Sequence, residues 1–177
     1  MRRSNLYVLL ASFLLGCSSG SASSPPADPA LPGDAQTPPT GATAVQAWLA
    51  GGQYLAWHCE PSSRAGRPPT VHGAARVCSN DLIAGAGPSG AFPAGAASVK
   101  EIYDTVGGKL IGYAVNRKLQ PASAGGTGWY WYENDPFFFA DGVGGSPGEG
   151  GACTGCHGGA NAGFAATARD YVFTQID

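Results

Sequence analysis

The stretch "AASVKEIYDTVGGKLIGYAVNRKL", residues 96–119, decides the fold class. Its halves, "AASVKEIYD" and "KLIGYAVNRKL", are rich in β-branched and aromatic residues with period-two stretches, the pattern of strands. Between them "DTVGGK" is a turn in which Gly107 and Gly108 supply the positive φ angles of a tight hairpin. Further on, "GWYWYE" at residues 128–133 reads as another strand, with Trp129 and Trp131 on one face and Tyr130 and Tyr132 on the other. Asp135 and Pro136 end it, because proline cannot donate to a sheet ladder, and a Gly-rich loop is expected over residues 141–152. Upstream, Val45, Trp48 and Leu49 recur at i, i+3 and i+4, a short amphipathic helix that Gly51 and Gly52 break. The class expected is mainly β (α+β): an antiparallel β-sheet domain with flanking short helices.

At 177 residues, 44% apolar and 12% charged, the chain has room for one ordinary domain and enough apolar residues for a core. The net charge of -2 carries no basic excess, and Lys100, Lys109 and Lys118 form no cluster, which argues against a nucleic-acid partner. At the N-terminus Arg2 and Arg3 precede an apolar run too short to span a bilayer, the pattern of an export signal. That run ends in "LLGC", residues 14–17, which resembles the lipobox of bacterial lipoproteins. On this reading residues 1–16 are a signal peptide and Cys17 becomes the lipid-bearing mature N-terminus. An ordinary secretory signal cut further on is the alternative. Residues 17–41, dominated by Ser, Pro, Ala and Gly, cannot recover the entropy of ordering and read as a lipid-anchored flexible tether. The folded domain is then 42–177, held at the bacterial cell envelope facing the periplasm, with membrane contact only through the lipid.

Four cysteines remain. Cys59 and Cys78 flank a segment containing "PSSRAGRPP", and in an oxidising compartment a disulfide between them is expected; two separately buried thiols are the alternative. Cys153 and Cys156 lie in "CTGCH", with His157 directly behind, in what reads as a C-terminal loop. A thioredoxin-like redox pair needs its first Cys at a helix N-terminus, which a Gly-flanked loop does not offer. A structural zinc site needs four ligands, and His58 and His72 are not spaced to complete one. Attachment of haem c needs two thiols for the vinyl groups and a histidine for the iron, which this motif supplies. The only methionine is Met1, lost with the signal, so His/Met ligation is excluded. His58 or His72 could give a bis-His electron carrier, although each also suits a local loop hydrogen bond; with His157 alone, the iron keeps an open sixth position. Helical c′ cytochromes share the C-terminal motif, but 28 glycines and the strand texture argue against a four-helix bundle.

Together "AFPAGAASVKEIYD", "KLIGYAVNRKL", "GTGWYWYE", "CTGCHGG" and "DYVFTQ" resemble the cytochrome P-460 family, which includes the β-sheet type of cytochrome c′, over about residues 70–177. The resemblance implies an antiparallel β domain, often a homodimer, with a pentacoordinate c-type haem. It implies thioether bonds at Cys153 and Cys156 and proximal ligation by His157. In the hydroxylamine-oxidising members a lysine is cross-linked to the haem, a carboxylate relays protons, and electrons pass to a partner cytochrome. Other members bind nitric oxide or carbon monoxide without turnover. Lys100 is the candidate for the cross-link, since it shares a strand face with Ile102 and would point inward if Ile102 does; an outward, snorkelling Lys100 is the alternative. Four positions after His157, where a carboxylate relay is sought, stands Asn161, a departure from the pattern. Glu133 is the remaining candidate, against its reading as an exposed strand-end glutamate. The aromatics of "GWYWYE" and "PFFFA" are expected as core and haem-pocket wall.

Overall fold

The computed structural model describes residues 37–66, 72–144, 150–162, 168–174 and 176. Six antiparallel strands form one sheet in chain order: β1 (His58–Cys59), β2 (Ala74–Ser79), β3 (Ala97–Tyr103), β4 (Leu110–Lys118), β5 (Trp129–Asn134) and β6 (Phe139–Val143). Helix α1 (Ala42–Ala50) precedes the sheet, α2 (Asp81–Ala84) links β2 to β3, and α3 (Gly151–His157) follows β6.

The hairpin of β3 and β4 forms as the sequence predicts, with Ala97 opposite Arg117 and Lys100 opposite Ala114. Its turn corrects one expectation: Gly107 alone has positive φ, at 70°. Gly108 is needed for space instead, because a Cβ there would lie 2.1 Å from Asp104 Oδ1, which accepts from the Thr105 and Lys109 amides. Strand β6 occupies the first part of the expected Gly-rich loop, and β1 and β2 are further strands beyond the three predicted. Cys59 faces Cys78 across the β1–β2 ladder and the two form a disulfide.

The two sheet faces carry separate cores. On one, Val99, Val115, Tyr130 and Tyr132 pack with Val45 and Leu49 of α1 and with Tyr54 and Trp57 of the turn after it. On the other, Trp129 and Trp131 pack with Ile83, Phe92, Tyr171 and Val172 and with Cys153. The alternation read in "GWYWYE" therefore holds, but the phenylalanines of "PFFFA" are not core: Phe137 is 88% exposed, and Phe138 and Phe139 are exposed too, whereas Ala140 is buried. The tether boundary also shifts. Thr37 and Pro38 are buried, and the Pro38 carbonyl accepts from Arg117, so packing reaches back before residue 42. The expected signal peptide, residues 1–16, the expected lipidation site Cys17 and the expected tether up to residue 36 lie outside the described residues. Among the described residues, no helix is long and apolar enough to cross a membrane.

Candidate functional site

Three strands align the sheet side of the site. Lys100 on β3 faces Ala114 on β4, which faces Glu133 on β5, so lysine and carboxylate stand in one cross-strand row on the same face. The next row on that face is Ser98, Asn116 and Trp131. Ser98 donates to Asn116 Oδ1 through both its amide, at 2.9 Å, and its hydroxyl.

Helix α3 brings the other wall. The C-x-x-C-H motif is helical rather than a loop, which corrects the sequence expectation. Gly151 and Gly155 are poor helix formers, so packing must hold the segment. Thr154 is buried and packs against Gly126, where a Cβ would come within 2.1 Å of the threonine methyl. Gly126 also has φ of 100°, which a side chain would strain.

Between the walls lies a cleft of about 820 Å³, counting its space open to solvent, lined by Lys100, Trp131, Glu133, Cys153, Cys156 and His157 with His72, Asn116 and Phe138 among the rest. Lys100 therefore faces the cleft, as its shared parity with buried Ile102 predicts. Glu133 is 3% exposed, which overturns its reading as a solvent-facing strand end. Its Oε1 lies 2.7 Å from His72 Nδ1, so His72 pairs across the cleft wall instead of serving only its own loop. His58 pairs with Asp81 at the surface, at 3.0 Å, and is not among the cleft's lining residues.

His157 is the best-defined member of the site. Its Nδ1 lies 2.8 Å from the Tyr171 carbonyl, an acceptor only, so Nδ1 carries the proton and Nε2 keeps its lone pair. Trp131 and Phe173 flank the ring, with centroids 4.6 Å and 5.1 Å away. Burial, then the nearby Lys100 charge, lowers its pKa to about 3, so the imidazole is neutral. A neutral imidazole whose second nitrogen donates to a carbonyl is the usual form of a histidine metal ligand.

No family model matches the chain, and no curated protein does.

Cys153 lacks the setting of a redox-active thiol. Cys153 sits in the first turn of α3, so the absence of a helix is no longer the reason against it. Burial, with Glu133 nearby, pushes its pKa up to about 12, the opposite of what a reactive thiolate needs. Cys153 and Cys156 are both free, one turn apart, with Cys156 exposed. This donor set fits haem c: two free thiols and a ligand-ready imidazole edge one largely apolar cleft. The Trp131 indole N–H is buried and lacks an acceptor among the described residues.

A second candidate, a divalent cation held by His72, Glu133 and Asp135 within 4.8 Å of one another, fits less well. Ligands about 2.0–2.1 Å from a tetrahedral zinc stand about 3.3 Å apart. The 2.7 Å between His72 Nδ1 and Glu133 Oε1 is a direct contact, too short for both to be ligands of one ion. Asp135 Oδ1 also already accepts from the Phe137 and Phe138 amides. Asn161, the departure noted in the sequence, accepts from the Tyr171 amide at 3.1 Å. The residues that sequence reading missed are those supporting His157: Tyr171 acts through its carbonyl, which no side-chain pattern reveals.

Proposed function

We propose that this chain is a c-type monohaem protein of the cytochrome P-460 kind, lipid-anchored through Cys17 at the periplasmic side of the bacterial envelope, and that it oxidises hydroxylamine. Cys153 and Cys156 would hold the haem and His157 would ligate its iron. The observation that carries the reading is the His157–Tyr171 contact, which leaves Nε2 unprotonated beside two free thiols. A bound haem would supply the iron at which hydroxylamine binds and the route by which electrons leave.

The chain's own residues supply the remainder. Taking hydroxylamine to nitric oxide releases three protons and three electrons, and the electrons require an accepting partner cytochrome. Glu133 is buried on the cleft wall and accepts protons at its carboxylate. His72 adjoins it and also lines a second cleft, with Ile102, Tyr103 and Pro136, through which protons reach solvent. Lys100, in the same row as Glu133, would supply the cross-link, an N–H and a haem-edge C–H giving way to an N–C bond while an added oxidant such as a peroxide takes the two electrons and two protons. The apolar walls keep competing water away from the iron.

The test is expression with a c-type maturation system, followed by intact mass and hydroxylamine turnover with an artificial electron acceptor. Haem should stay on the denatured chain, and Cys153→Ala with Cys156→Ala should remove it. Lys100→Leu should shift the optical spectrum to that of an ordinary c-type haem, and Glu133→Gln should lower turnover about 10²–10⁴-fold. An ordinary pentacoordinate spectrum in the wild type with no turnover would leave a nitric oxide or carbon monoxide binder in place of the enzyme. A haem-free chain would end the reading.

A further inference from the structure

We propose that Lys118, Asp170 and Asn161 form a clamp on the backbone at Tyr171 that fixes the orientation of His157, making them positioning residues for the iron ligand. The inference rests on the haem reading above and adds to it the part of the fold that sets the ligand.

Lys118, the last residue of β4, is fully buried, an uncommon position for an ammonium group. Its Nζ lies 2.8 Å and 3.0 Å from the two carboxylate oxygens of Asp170 and also bonds the Ser123 hydroxyl. It stands 4.8 Å over the Trp129 ring, and Trp129 stacks on Trp131, which flanks His157. Asp170 Oδ2 accepts from the Phe92 amide at 2.6 Å. The carboxylate is thus held from β4, from the β4–β5 connection and from the segment before β3.

The backbone around Asp170 explains why so many anchors converge. Arg169 and Val172 exchange two backbone hydrogen bonds, at 2.9 Å and 2.8 Å, closing a two-residue turn over Asp170 and Tyr171. Both central residues have positive φ, 45° and 69°. Such a turn ordinarily carries Asn-Gly, and Asp-Tyr is strained there. The two side chains and one carbonyl account for the choice. Asp170 engages Lys118, the buried Tyr171 ring fills the core beside Trp131, and the Tyr171 carbonyl accepts from His157 Nδ1. Asn161 then holds the preceding peptide group, that between Asp170 and Tyr171, through the Tyr171 amide. Carboxylate, turn and amide acceptor together leave that carbonyl one direction, and the carbonyl leaves the imidazole one tautomer.

A tie that merely fastens the chain's end would not govern the iron–histidine bond, and this separates the two roles. In the haem-loaded protein, the iron–histidine stretching band of the ferrous form and the midpoint potential are measured for Asp170→Asn, Asn161→Ala and Asn161→Asp, with intact mass reporting haem. Asp170→Asn and Asn161→Ala should keep the haem while the band shifts and broadens and the potential moves. Asn161→Asp keeps an acceptor for the Tyr171 amide and should restore the wild-type band. If Asp170→Asn fails to fold, the exposed Asn161 carries the test. Band and potential unchanged in the folded, haem-loaded variants would overturn the clamp. If the wild type carries no haem, the function proposed above falls, and the clamp is read on the ¹⁵N shifts of the His157 ring. There, a new Nε2–H tautomer in the variants supports it and unchanged shifts refute it.

Discussion

On one face of the sheet, α1 and the turn behind it cover Val99, Val115, Tyr130 and Tyr132 completely. On the other, α3 covers Trp129 and Trp131 but leaves Lys100 and Glu133 beside a cleft. Each face buries one glutamate from a middle strand. Glu101, on the covered face, accepts from Tyr54 and Tyr103 at 2.7 Å and meets Arg76 at 3.3 Å, so its charge is matched by donors fixed in the fold. Glu133, on the open face, stands 2.7 Å from one imidazole at the edge of empty space. A buried carboxylate costs free energy unless it is paired and hydrogen-bonded. The first glutamate helps hold the sheet, whereas the second is retained where a ligand can reach it.

If the faces divide stability from chemistry in this way, truncating the covered face has the largest effect on folding. Leu49→Ala should cost about 2–5 kcal/mol by removing a buried contact between α1 and the sheet. Denaturant unfolding measures the loss, and turnover per haem should stay at the wild-type value. A fall in turnover would break the division. Next comes the disulfide on the same face. Replacing Cys59 and Cys78 by Ala frees a loop spanning a separation of 19 residues. This should cost about 3 kcal/mol, seen as a lower Tm with haem content unchanged.

The open face should respond oppositely. His72→Leu with Glu133→Leu exchanges a closely paired imidazole and carboxylate for apolar groups, and replacing both partners of such a pair is commonly neutral or stabilising. Unfolding should move little or upward while hydroxylamine turnover disappears. A large loss of stability would mean that this pair belongs to the core after all.

The division was only partly legible in the sequence. The 96–119 hairpin, the Trp/Tyr alternation, α1 and the Cys59–Cys78 bridge follow from local chemistry and fold as expected. Strand β2, "AARVCS", was hidden because arginine and serine interrupt its apolar pattern, and β6, "FADGV", because glycine and exposed phenylalanine do not look like a strand. Missing β6 had a consequence for the site: without it β5 looks like an edge and Glu133 an exposed end, whereas pairing with Ala140 puts Glu133 on an interior strand. The helix at "CTGCH" was missed for the opposite reason. Its glycines argue for a loop, and tertiary packing of Thr154 overrides them. The C-x-x-C-H spacing was readable as a candidate haem site because covalent attachment would set it; the Tyr171 carbonyl that accepts from His157 was not.

The smallest effects test the covered glutamate. Tyr54→Phe removes one donor from Glu101 and should cost about 1–2 kcal/mol, read from denaturant unfolding.

The same group sets an alkaline limit on the fold. Burial, followed by the hydrogen bond to Glu101, pushes the Tyr103 phenol up to about 12, and burial likewise raises Tyr54 and Tyr130. The folded state thus keeps protons that the unfolded chain releases near its ordinary value of about 10. Above about pH 10 the unfolded state binds fewer protons than the native one, so stability falls as pH rises. The contribution is fully present below about 10 and, for Tyr103, is used up by about 12. Urea midpoints should therefore be flat on the mildly alkaline side and decline above about pH 10, while absorbance at 295 nm shows tyrosinate formation delayed in the folded protein. In Tyr54→Phe the decline should be shallower, because one protected phenol is gone. Tyr54, Tyr103 and Tyr130 all lie on the covered side of the sheet, so a Glu133→Gln variant should leave the slope unchanged. Tyrosinates forming near pH 10 with no loss of stability would show that Glu101 is not enclosed as described, and the contrast between the two glutamates would collapse.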